Sequence, residues 1–298
     1  MTTPEFADNR DNFCYRHPDR QSFVLCQRCL RTICPECQTQ AAVGVICPEC
    51  MAAERKNRTP AQKRAERRWR SRPAMAASGG GKPVVTYGLL LITSIIGLLQ
   101  MVPGMGNAIT QQLLFAAAYL YPDLSLYPFE PWRLLTAVFV HGGFIHLALN
   151  MLALWMLGQN LEPMLGRVRY LALYLISGIG GSVAVALIAP GTATVGASGA
   201  IFGLMAALLI IGRHLGANVT GILVILGINF VIGFFIGGIA WQAHLGGAIV
   251  GALVAFILTR TRRRDQRTLQ IVLLSAVVVA LLVIVAFVPP LLITSVYA

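Results

Sequence analysis

Ser198 stands in Gly196-Ala197-Ser198-Gly199 at the start of one apolar segment, and His244 opens another as Ala243-His244-Leu245-Gly246-Gly247. An ionisable side chain is costly inside a bilayer and asks for a partner. A hydroxyl and an imidazole together can perform nucleophilic catalysis. The ring takes the hydroxyl proton as the oxygen attacks, and later gives it to the leaving group. His146 and Asn150, four residues apart at the start of a third apolar segment, complete a set of four groups capable of chemistry.

The elements that must position these groups are membrane spans. Of 298 residues, 56% are hydrophobic and only 12% charged, outside the range of a soluble domain. After Glu66 the only carboxylates are Asp123, Glu130, Glu162 and Asp265. The first 80 residues are polar and hold no apolar leader segment. From Val84 onward the pattern predicts seven spans, near 84–102, 144–161, 168–189, 197–214, 219–237, 240–259 and 269–288. The loop 103–143 carries Tyr121, Tyr127, Phe129, Trp132 and Phe139, which suit a position in the membrane interface.

Basic residues set the orientation. Arg64, Arg67, Arg68, Arg70 and Arg72 precede span one, Arg167 and Arg169 follow span two, and Arg213 follows span four. Arg260, Arg262, Arg263, Arg264 and Arg267 follow span six, while the intervening loops around Pro190 and Gly238 hold no Lys or Arg. The expected topology is a cell-membrane, multi-pass protein with its N-terminus cytoplasmic and its C-terminus outside. Spans two, four and six then run inward, and His146, Asn150, Ser198 and His244 each sit within roughly 10 Å of an outer helix end. Ser198 alone would be an ordinary packing serine, and Asn150 alone helix–helix glue. Two histidines at the same depth fit that account less well. His141 reads as structural, in the loop before span two. Gly199 and Gly203 on one span, and Ala243, Gly247 and Gly251 on another, remove side chains where two helix backbones must approach.

These elements resemble the rhomboid intramembrane serine proteases. Trp132-Arg133, His146-x-x-x-Asn150, Glu162-x-x-x-Gly166, Gly196-x-Ser198-Gly199 and Ala243-His244 occur in the family's order across about 84–259. The resemblance implies Ser198 as nucleophile and His244 as general base, with no acidic third member. It also implies an oxyanion site from the side chains of His146 and Asn150 and the backbone N–H of Ser198. An aromatic residue one turn after the serine, often tyrosine in bacterial members, is Phe202 here. The substrates implied are single-span membrane proteins, cleaved where the helix unwinds near the outer face. Glu162 is expected to tie down the cytoplasmic end of span two rather than to do chemistry.

The N-terminal region carries different chemistry. Cys14-x-x-His17, Cys26-x-x-Cys29, Cys34-x-x-Cys37 and Cys47-x-x-Cys50 supply eight ligands for two tetrahedral Zn²⁺ sites with no position left for water, so the ions should be structural. An odd cysteine count and a reducing compartment disfavour disulfides. The similar lengths of 18–25 and 38–46 favour interleaved pairing, first with third and second with fourth, while sequential pairing stays open. The module resembles a B-box or RING-like cross-brace, suited to a cytoplasmic protein partner. Attraction to membrane lipid explains the basic segment more simply than nucleic acid, despite a net charge of +12.

The expected fold class is an all-α polytopic membrane protein: a six-helix rhomboid core plus a seventh C-terminal transmembrane helix, preceded by a small two-zinc module. The expected divisions are a zinc module over 1–55, a basic flexible linker over 56–83, the core over 84–260, and a basic loop with the seventh helix over 261–298. Catalysis should need no cofactor. The competing reading is an inactive rhomboid-like protein that escorts membrane proteins, but such relatives usually lose the serine or the histidine. A transporter would call for midplane charges or an internal repeat, and the sequence holds neither.

Overall fold

The computed structural model describes residues 9–40, 44–57, 59, 82–235 and 238–297. Residues 60–81, with Arg64, Arg67, Arg68, Arg70 and Arg72 of the expected linker, lie outside the described residues. The chain divides into two compact units, Met1–Ala74 and Met75–Ala298.

The first unit is built on two short antiparallel ladders. β1 (Phe13–Cys14) pairs with β2 (His17–Gln21), and β3 (Thr39–Gln40) pairs with β4 (Val45–Ile46), followed by helix α1 (Pro48–Lys56). Its buried core is five cysteines with Ile33 and Ile46. Two aliphatic side chains are far too few to hold so small a unit by apolar burial alone. The sulfurs must therefore do more than pack.

The second unit is helical: α2 (Val84–Leu99), α3 (Gly106–Leu113), α4 (Arg133–Thr136), α5 (Phe144–Leu165), α6 (Arg167–Ile188), α7 (Ser198–His214), α8 (Thr220–Phe235), α9 (Trp241–Arg260) and α10 (Arg267–Tyr297). Among the described residues four helical segments, Phe144–Leu165, Arg167–Ile188, Trp241–Arg260 and Arg264–Pro290, are long and apolar enough to cross a membrane. Val84–Leu99, Ser198–His214 and Thr220–Gly233 are shorter apolar helices. Within their apolar windows α6 and α9 are 61% buried and the last helix 11%, so α6 and α9 are central and α10 is peripheral.

Between α5 and α6 the chain reverses at Gly166 alone, with φ +82°, a conformation that only glycine adopts freely. Nearby, Glu162 caps α2. Its carboxylate accepts from the N–H of Val85 (2.9 Å), the N–H of Thr86 (2.8 Å) and the hydroxyl of Thr86 (2.7 Å). A carboxylate there satisfies orphan donors and opposes the helix dipole.

The loop 103–143 divides into two kinds of surface. Leu126, Tyr127, Phe129 and Trp132 are exposed, as suits an interface. Tyr121, expected with them, is instead buried, and its hydroxyl donates to the Val285 carbonyl (2.5 Å). The reason lies in α10, which continues through Pro289 and Pro290 beyond the expected end at 288. Pro289 has no N–H for the carbonyl four residues earlier, so Val285 is left an acceptor, and Tyr121 fills it. At its other end α10 is held by Gln270, which accepts from Arg169 Nε (2.8 Å) and donates to the carbonyl and hydroxyl oxygens of Thr261 (2.8 and 2.7 Å).

Candidate active site

The segment before Ser198 is fixed before the helix begins. Thr194 and Phe115 exchange backbone hydrogen bonds (2.7 and 3.1 Å), and the Gly196 N–H donates to Ala137 (2.9 Å). Gly196 has φ +118°, and a Cβ there would stand 2.8 Å from His146 Cε1 and Nε2. Glycine is required at 196 for both reasons. Ser198 is then the first residue of α7, where backbone N–H groups have no intrahelical acceptor.

His244 reaches Ser198 because α7 and α9 touch backbone to backbone. A Cβ on Gly247 would lie 1.9 Å from the Gly199 carbonyl oxygen, and one on Gly251 would lie 2.3 Å from Gly203 Cα. The small-residue stripes thus face each other, and α6 closes in behind them: a Cβ on Gly246 would meet the Gly180 carbonyl oxygen at 2.4 Å. In an apolar solvent such close packing replaces the hydrophobic drive that is missing between helices.

The outcome is a hydrogen bond of 2.9 Å between Ser198 Oγ and His244 Nε2, with His244 only 7% exposed. For Nε2 to accept the hydroxyl proton the ring proton must sit on Nδ1, and among the described residues Nδ1 has no hydrogen-bond partner. The imidazole is oriented by a face instead: the Phe202 ring stacks on it at 4.0 Å and 9°. The hydroxyl and the imidazole stand within hydrogen-bond reach, and among the described residues no carboxylate bonds the ring.

His146 and Asn150 share one face of α5. The Gly142 N–H donates to His146 Nδ1 (3.3 Å), which places the ring proton on Nε2, the atom against Gly196. Asn150 is buried and donates one amide hydrogen to the His146 carbonyl (2.8 Å), leaving its other amide hydrogen uncommitted by that bond. Arg133, 3% exposed, is a loop clamp. It bonds Glu130 and the carbonyls of Gln111 (2.6 Å) and Leu114 (2.9 Å), and lies over the Tyr119 ring.

Sequence reasoning missed His141, which lies in the site. It is 5% exposed, its Nε2 accepts from the Ala197 N–H (3.4 Å), and its ring meets that of His146 edge-on at 5.0 Å. The spacing His141-x-x-x-x-His146 was the available signal, but His141 precedes the helix and periodicity could not place it.

In the first unit, Cys14, His17, Cys34 and Cys37 form one cluster and Cys26, Cys29, Cys47 and Cys50 another, the ligand atoms of each lying within 4.8 Å of one another. This is the interleaved arrangement. The seven cysteines form no disulfide. His17 Nδ1 is 3.4 Å from the sulfurs of Cys34 and Cys37 and 3.8 Å from that of Cys14, and the sulfurs of Cys29 and Cys47 are 3.7 Å apart. Ligands at about 2.0–2.3 Å from a tetrahedral zinc are separated by about 3.5–3.8 Å, so the donor sets fit that ion. The thiols also compete for charge. For Cys14, burial raises the pKa, but N–H groups of Cys34, Arg16 and His17 bring it down to about 6. Cys37 is pushed up to about 11, by burial and then by the thiols of Cys14 and Cys34. Several thiolates crowd together stably only around a cation.

The Rhomboid domain family model matches residues 128–261. Rhomboid protease GluP of Bacillus subtilis (strain 168) is 37% identical over 212 residues, covering 68% of this chain and 40% of GluP. YdcA of the same organism, a candidate rhomboid protease, is 34% identical over 144 residues, covering 45% of this chain and 71% of YdcA. The mitochondrial RHOMBOID-like protein 6 of Arabidopsis thaliana is 40% identical over 139 residues, covering 43% of this chain and 44% of that protein. The chain therefore spans less than half the length of GluP and of this Arabidopsis relative. Its apolar helices make it a multi-pass membrane protein. It belongs to the rhomboid family.

Proposed function

We propose that this chain is a serine-type intramembrane endopeptidase that cleaves single-span membrane proteins near the outer leaflet. The observation that carries the reading is the 2.9 Å contact between Ser198 Oγ and His244 Nε2 at the meeting of two apolar helices. Ser198 Oγ bonds to the scissile carbonyl carbon as His244 Nε2 takes its proton, and the carbonyl π pair becomes an oxyanion. His146 Nε2–H, an Asn150 amide hydrogen and the Ser198 backbone N–H are the donors for that oxyanion, helped by the N-terminus of α7. Collapse breaks the C–N bond, and the leaving amine takes the proton from His244. Water then adds to the acyl-enzyme with His244 as base. The acid product leaves, and the proton returns to Ser198.

The proposed topology has seven spans, α2 and α5 to α10. The N-terminus is cytoplasmic and the C-terminus outside, with a six-helix core over 84–260 and the seventh helix over 261–298. Arg167, Arg169, Arg213, Arg260 and Arg267 stand at the ends of α6, α7, α9 and α10 that this topology places in the cytoplasm. Residues 1–55 are a cytoplasmic module with two structural zinc ions, which give it the stability that its two buried isoleucines cannot. It presents a surface to a cytoplasmic protein partner, and 56–83 links it to the core. Catalysis uses neither ion.

Co-expression with a tagged single-span substrate tests the reading. Cleavage is expected and should vanish in Ser198→Ala and His244→Ala. Cleavage persisting in Ser198→Ala removes the assigned nucleophile. Substrate capture without any cleavage by the unaltered chain would point to an inactive escort.

A further inference from the structure

Gln100, at the C-terminal end of α2, makes contacts that reach the active site although no catalytic motif includes it. Its Oε1 accepts from the His141 N–H (2.9 Å) and its Nε2 donates to the His141 carbonyl (3.2 Å), so one amide holds both backbone groups of a single residue. Nε2 also donates to Thr110 Oγ1 (2.7 Å), whose hydroxyl donates in turn to the Gly106 carbonyl (2.9 Å). The orientation of the amide is unambiguous, because a flipped side chain would set its NH₂ against the His141 N–H. The turn around it is closely built: a Cβ on Gly106 would lie 1.9 Å from the Gln100 carbonyl oxygen.

His141 and Gly142 are the hub for the oxyanion side of the site. The His141 ring accepts the N–H of Ala197, the residue before Ser198, and the Gly142 N–H holds His146 Nδ1. Those bonds fix the turn that presents Ser198 and the tautomer that aims His146 Nε2–H. Both depend on where the backbone of residues 141 and 142 stands, and Gln100 sets that.

We infer that Gln100 is a positioning residue for catalysis, which locks the His141–Gly142 backbone so that His146 and the Ser198 turn meet the oxyanion in register. The inference rests on Ser198 acting as nucleophile. Displacement of a supporting shell by about 1 Å can cost up to about a hundredfold in rate while leaving distant substrate contacts intact. The effect should therefore fall on kcat rather than on KM.

The test uses the full chain in proteoliposomes with a single-span substrate and a fluorophosphonate that labels the active serine. Wild-type labelling, absent in Ser198→Ala, is read first. If it fails, the nucleophile assignment is lost and this inference falls with it. With labelling present, Gln100→Leu is expected to lower kcat per labelled site by about tenfold or more, with KM within about twofold. The fluorophosphonate rate constant should fall by a similar factor, because the phosphonyl oxygen uses the same donors. Gln100→Glu, which keeps the acceptor for the His141 N–H, should lie between. Three results overturn the inference: an unchanged kcat per labelled site, a loss confined to KM, or a loss that appears only as fewer labelled sites.

Discussion

Gly247 and Gly199 meet so closely that a Cβ on Gly247 would stand 1.9 Å from the Gly199 carbonyl oxygen. Gly199 directly follows Ser198 and Gly247 lies about one turn after His244, so catalytic distance and helix packing are one geometrical fact. Gly247→Ala has no flexible side chain to push aside, only backbone, and should destabilise the protein by about 1–3 kcal/mol. Gly227→Ala on α8, where a Cβ meets nothing within 4 Å, should be near neutral. Thermal unfolding in detergent reads the difference, and equal effects at the two sites would contradict the packing account.

Phe202 stacks on the His244 ring, whose Nδ1 has no hydrogen-bond partner among the described residues, so beside the bond to Ser198 the stacking orients the imidazole. An aromatic contact of this kind is worth about 0.5–1.5 kcal/mol, so Phe202→Ala should lower kcat about threefold to tenfold. Phe202→Tyr keeps the stacking face and should stay close to wild type. Steady-state kinetics on the purified chain decides. A kcat unchanged in Phe202→Ala would show that the ring is oriented by something else.

The two metal clusters interleave, and this has a stoichiometric signature. The full chain should carry two zinc ions by metal analysis. A Cys14→Ser/Cys37→Ser double variant should lose one of them, because both cysteines belong to the same cluster. Sequential pairing would divide those two cysteines between the sites and disturb both ions.

Tyr121 and Pro289 should be energetically coupled. Tyr121→Phe leaves the Val285 carbonyl without its donor and should cost about 1 kcal/mol, read as a loss of thermal stability. In a Pro289→Leu background the restored N–H can serve Val285, and the cost of Tyr121→Phe should shrink. Additive effects in this double-mutant cycle would mean that the hydroxyl bond does not depend on the proline.

Much of the molecule was legible in its order of residues. Apolar runs of about 20 residues announce spans through the cost of unsatisfied backbone in lipid, and each expected run is a helix here, within a few residues at most ends. Four pairs at a two-residue gap announce metal ligation, because that gap lets both members reach one ion. Ser198 and His244 stood out because polar side chains are rare in such segments. The expected seventh span ends at 288, just before Pro289 and Pro290. The helix runs on to Tyr297, and Tyr121, 164 residues away from Val285, satisfies the carbonyl that Pro289 leaves free.

Other features had no local signal. Gln100 bonds a residue 41 positions away, and Gln270 bonds Arg169, 101 positions away. Tyr121 looked like an interfacial aromatic and is a buried donor. His141 looked like a loop residue and touches the turn before the nucleophile. Composition and periodicity report what a residue needs from its solvent, which in a membrane is enough to set the spans and to mark the costly exceptions. Which exceptions meet is decided by how closely helices pack. Here glycine backbones in contact bring Ser198 and His244 to 2.9 Å, a distance that only the assembled fold could set.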